Sequence, residues 1–105
     1  MSTDADRPSG GLLADAIVAF TGRGTRKIPT SDEAAVFALD PQQFDEVIAA
    51  VKAVLKVSDS IVVDDSDRSE MRAAVTAKHQ ELLPDLDDRA IDALIWRWGY
   101  INSHG

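Results

Sequence analysis

The chain is expected to fold as an all-α protein, a compact bundle of four main helices plus one short helix, and three observations point there. Apolar residues recur at three- and four-residue spacing along most of the sequence, Thr, Asp, Pro and Gly stand where those patterns begin and end, and no two segments alternate as paired strands would. At 105 residues with 45% apolar content and no cysteine, the chain can close one core without disulfides. The absence of cysteine also excludes thiolate metal sites and thiol nucleophiles.

Residues 1–10 offer Ser, Thr, Asp, Pro and Gly with little to bury, which predicts a disordered tail and leaves 11–105 as a single helical domain. Leu12, Leu13, Ala16, Ile17 and Phe20 then fall at helical spacing, and Gly22 and Gly24 end the pattern as C-terminal breakers. A basic loop follows over 22–30, in which Ile28 is the residue expected to turn inward. Thr30 and Glu33 have the spacing of a capping box for a short helix through Phe37.

Asp40, Pro41 and Gln43 read as N-cap, first helical position and returning side chain for the next helix. Its face of Phe44, Val47, Ile48, Val51, Val54 and Leu55 spans about 120° and is expected to be core. Ser58-Asp59-Ser60 breaks that pattern. The β-branched triplet Ile61-Val62-Val63 is read as an apolar linker, with a minor β element at 61–63 as the alternative.

Asp67 and Glu70 form a further capping box, opening a helix with Met71, Ala74, Val75 and Leu82 on one side and Lys78 snorkelling at its rim. Pro84 stops this helix and Asp87 caps the last one, where its charge and that of Asp88 suit the helix dipole. In the last helix Ile91, Leu94, Ile95 and Trp98 share a stripe, while Trp96 and Tyr100 lie one turn apart on nearly the opposite side. Such a helix is either enclosed on both sides or offers aromatic surface to a partner. Gly99 weakens it by about 1 kcal/mol of helix propensity.

The net charge of −7 is uneven: residues 1–31 sum to +1 and the remainder to −8. A surface of that sign repels nucleic-acid phosphates and anionic lipid and attracts basic proteins. Leu12 to Phe20, the most apolar early segment, is interrupted by Asp15 and too short for a span, so a soluble cytoplasmic protein with no membrane partner is expected. Abundant Ala, a single Asn and an excess of Asp over Glu suggest a bacterial or phage genome.

Recognised chemical motifs fail on inspection. The acidic run from Asp64 to Glu70 lacks the glycine and the terminal glutamate of a calcium loop. Gly22-Arg23-Gly24-Thr25-Arg26-Lys27 has the composition of an anion cradle without the spacing of a P-loop or a dinucleotide fingerprint. The last two helices resemble a helix-turn-helix only in outline, because Asp87, Asp88 and Asp92 would face the phosphates. His79 is placed on a helix flank and His104 near the C-terminal end, so no nucleophile, base and orienting group converge.

The expectation is therefore a non-enzyme with no catalytic residue, cofactor or metal, acting by stoichiometric binding in the manner of an inhibitor, antitoxin, immunity protein or phage-type modulator. Trp96, Tyr100 and Arg97 would anchor a protein partner, and Asp64, Asp65 and Asp67 would steer a basic one; a second copy of the chain, in a homodimer, is the other candidate occupant. The alternative is a nucleic-acid-associated module using Arg23, Arg26 and Lys27, which the overall charge disfavours.

Overall fold

The computed structural model describes residues 10–63 and 68–104, and these form five α-helices with no strand among the described residues. The helices are α1 (Gly10–Thr21), α2 (Glu33–Leu39), α3 (Phe44–Asp59), α4 (Arg68–Leu82) and α5 (Asp88–His104), with a 3-10 turn at Pro41–Gln43 leading into α3. The four-plus-one count from the sequence stands. The alternative of a β element at 61–63 does not: Ile61 buries its side chain while Val62 is exposed, and no strand to pair with the segment exists among the described residues. Residues 1–9 of the expected tail, and the Asp67 member of the expected capping box, lie outside the described residues.

Helix α1 stops because Gly22 adopts φ 80°, a left-handed conformation that lets its N–H reach back 2.9 Å to the carbonyl of Val18. The carbonyls at the end of α1 are then satisfied by the returning chain. Thr30 donates from its backbone N–H to Thr21 and from its hydroxyl to Phe20, and the Asp32 N–H also reaches Phe20. Thr30 is thereby spent on closing α1, and the N-cap expected of it falls to Asp32, whose carboxylate accepts from the Ala35 N–H at 3.0 Å. Ile28, expected to turn inward, is 52% exposed on this loop.

The start of α3 follows local chemistry closely. Asp40 accepts from the Gln43 N–H at 3.2 Å, and the Gln43 amide returns to the second carboxylate oxygen at 3.0 Å. Val47, Ile48, Val51, Val54 and Leu55 are buried as their spacing requires, with Phe44 partly covered. The helix runs further than expected, taking Ser58 and Asp59 with it, and Ser58 is fully buried.

Two apolar clusters result, and α5 serves both. The larger joins Ala14, Ala16, Ile17 and Phe20 of α1, Val36 of α2, the stripe of α3 and Ala90, Ala93 and Leu94 of α5. The smaller joins Ile61, Val75 of α4 and Trp98 of α5, flanked by Val63, Met71 and Ile95. Ala90 and Ala93 have no exposed surface, so α5 lies close to α1, while α4 packs against α5 from another side. Asp87 opens α5 by accepting the Ala90 N–H at 3.0 Å, and that bond is the main reason its carboxyl titrates below the ordinary value of 3.8.

The stripe on α4 is rotated from the one expected. Val75 and His79 are buried, Lys78 is exposed and paired with Glu81 at 3.6 Å, and Leu82 is 47% exposed. One residue on a helix is about 100° of rotation. His79, expected on the flank, takes the buried place about one residue's rotation from Lys78 at the rim, and Leu82, expected inward, is left half exposed.

Candidate functional site

The aromatic helix and the basic loop, far apart in sequence, meet in space. Arg23 donates from Nε to Asp92 Oδ2 at 2.7 Å, and its guanidinium carbon lies 5.3 Å from the centre of the Trp96 ring. Gly22 turns the chain where α1 ends, which delivers Arg23 to this side of α5. Trp96 and Tyr100 are both partly exposed, and Trp96 is not among the described members of either apolar cluster. About two turns before Trp96 on α5, Arg89 donates to Asp15 of α1 at 2.8 Å and lies 3.4 Å from Asp87, and these carboxylates hold it more firmly protonated.

The remaining residues singled out from the sequence are distributed differently. Arg97 is turned about 100° away from Trp96 and grips Asp59 at the end of α3, with Nη1 at 2.5 Å and Nη2 at 3.4 Å from the two carboxylate oxygens. Its side chain is only 15% exposed. It pins α5 to α3 and is not grouped with Trp96. Arg26 lies 3.8 Å from Asp32, a loose pair, and Lys27 is exposed. Asp64, Asp65 and Asp67 lie outside the described residues.

His79 is the residue whose surroundings the sequence least revealed. It has no exposed surface, and both ring nitrogens are engaged: Nδ1 is 2.8 Å from the Val75 carbonyl and Nε2 is 2.7 Å from Ser58 Oγ. A carbonyl can only accept, so Nδ1 carries the proton, Nε2 is the acceptor and the Ser58 hydroxyl donates to it. Burial pushes the His79 pKa below its usual 6.5, with the Val75 bond acting the other way. The serine donates to the imidazole as in a nucleophile and base pair, yet both groups are fully shielded and the second nitrogen is oriented by a backbone carbonyl. The available signal was the four-residue spacing of Met71, Val75 and His79.

A different exposed apolar surface sits on α2, where Phe37 is half exposed and meets Phe44 edge-on with ring centres 5.4 Å apart. No helix among the described residues is long and apolar enough to cross a membrane. No protein-family model matches the chain, and neither a curated protein nor a solved structure is detectably similar to it.

Proposed function

We infer that the protein acts by stoichiometric binding to another protein, with the side of α5 that carries Trp96 and Tyr100 as its contact surface. The observation that carries this reading is the position of Trp96: a large ring outside both apolar clusters, partly exposed, with an arginine over its face. Tryptophan, tyrosine and arginine are the residue types that concentrate binding energy at interface centres. The ion pairs of Arg23 with Asp92 and Arg89 with Asp15 tie the surroundings of that ring to α1 and its loop, so the surface is held in place before a partner arrives, which lowers the ordering cost of association.

The net charge of −7 favours a basic partner through faster encounter, and Asp64, Asp65 and Asp67 would add to that steering. Inhibitor, antitoxin, immunity protein and phage-type modulator are the roles this mode of action suits. The alternative, a nucleic-acid module on the basic loop, is weakened because Arg23 is paired with Asp92 and Arg26 lies beside Asp32.

The test is capture of partners from a bacterial lysate by wild type, Trp96→Ala and Arg23→Ala, each variant first shown to melt like a folded protein. A complex of fixed stoichiometry, formed more slowly at high salt and lost in Trp96→Ala, is the expected outcome. Retention of the complex by folded Trp96→Ala would refute the assignment of the surface, and a steeply salt-dependent affinity for nucleic acid abolished by Arg23→Ala would favour the alternative.

A further inference from the structure

Helix α4 joins the fold on different terms from the other four. Along its length it contributes Val75 to the smaller cluster, with Met71 as partial cover. Leu83 and Leu86, just beyond its C-terminal end, pack against the larger cluster instead. The helix thus has a firm foot and thin attachment elsewhere. Between α3 and α4 the buried polar link is the 2.7 Å hydrogen bond from Ser58 Oγ to His79 Nε2, with neither side chain exposed to solvent.

A proton added at Nε2 turns this acceptor into a donor. The serine oxygen can rotate to accept, but the imidazolium charge then sits in a buried site where, among the described residues, its ring partners are a hydroxyl and a carbonyl and not a carboxylate. Asp59, beside Ser58 at the end of α3, holds Arg97 of α5, and Lys78 and Glu81 of α4 pair with each other. From α5 and the described part of the linker, Trp98, Ile95, Ile61 and Val63 pack on this cluster.

We propose that Ser58 and His79 form an acid-released latch: uptake of a proton from solvent at His79 Nε2 undocks α4 and bares the apolar surface of Ile61, Val75 and Trp98. The lowered pKa of the docked imidazole fixes the sign. Undocked His79 takes the proton near its ordinary pKa and docked His79 refuses it, so the undocked fraction rises by up to about tenfold for each pH unit below about 6.5 and levels off at the lower, docked pKa. At higher pH both forms are neutral and the latch has no pH dependence. Opening α4 alone sacrifices the smaller cluster and spares the larger one, which makes it the cheaper motion.

The test is amide hydrogen exchange of the full chain from about pH 7.5 to about pH 5, corrected for the intrinsic pH dependence of exchange. Peptides covering residues 70–82 should lose up to about tenfold protection per pH unit below about 6.5, while those from α1 and the middle of α3 hold theirs. His79→Gln, and the pair Ser58→Ala with His79→Leu, should abolish the slope. Unchanged α4 protection in wild type overturns the proposal, as does opening of α1 and α4 together with one slope, or a slope that survives in either folded variant. The wild-type measurement decides by itself if a variant does not fold.

Discussion

Removing one partner of the Ser58 and His79 pair should cost more than removing both. Each side chain is fully buried and the bond between them is 2.7 Å long. In Ser58→Ala the imidazole Nε2 loses its donor and stays in a dry environment, which costs about 1–3 kcal/mol for the lost bond and the stranded acceptor. In His79→Leu the Ser58 hydroxyl is stranded instead; a helical serine can turn to the carbonyl one turn back, so the cost is nearer the low end, about 1 kcal/mol. The double variant strands neither group, and leucine fills most of the imidazole volume, so its stability should lie within about 1 kcal/mol of wild type. Urea titrations at neutral pH of all four proteins give the coupling directly, provided the m-values agree. Single-variant losses that simply add in the double variant, with coupling below about 0.5 kcal/mol, would refute the claim that these groups depend on each other for their burial.

Other substitutions separate local causes from tertiary ones. Gly99→Ala should stabilise α5 by up to about 1 kcal/mol in thermal melts, because an added methyl meets nothing within 4 Å and alanine is the better helix former. Gly22→Ala should do the reverse by at least about 1–2 kcal/mol, since φ is 80° and the new carbon would lie 2.6 Å from Arg26 Cγ. Trp98→Ala, which loses the smaller cluster's ring and its 3.0 Å bond to the Ile61 carbonyl, should cost about 3–5 kcal/mol. Trp96→Ala should cost about 1–2 kcal/mol for a partly exposed ring and one cation-π contact, and equal losses at the two tryptophans would place Trp96 in the interior. Acid titration of Asp87→Asn should show a shallower loss of stability than wild type as pH falls through and below 3.8, because a carboxyl with a lowered folded pKa stabilises above that range and ceases to as it is protonated.

What the sequence revealed was governed by residues near each other in the chain. Asp40 with Pro41 and Gln43, Gly22 at the end of α1, and Asp87 at the start of α5 all act within one helical turn, and each does what its chemistry implies. Thr30 shows the limit. Its local pattern suited an N-cap, but carbonyls of α1 ten residues back competed for the same hydroxyl. Ser58 and His79 are 21 residues apart, and nothing near either one marks it as a partner of the other. The meeting of Arg23 with Trp96 and Asp92 was equally hidden, because two segments that looked like rival binding sites become neighbours only once α1 is laid against α5.

The dependence of both clusters on α5 has a consequence for biosynthesis. Because α5 follows the other described helices, a ribosome releases α1 to α4 before the element that completes either hydrophobic layer. Phe20, Val47, Ile61 and Val75 therefore remain partly wet until Ala90 through Trp98 have cleared the exit tunnel. Folding is in that sense deferred to a late moment of translation, and a nascent chain stalled before Asp88 presents sticky, half-covered surfaces that chaperones recognise.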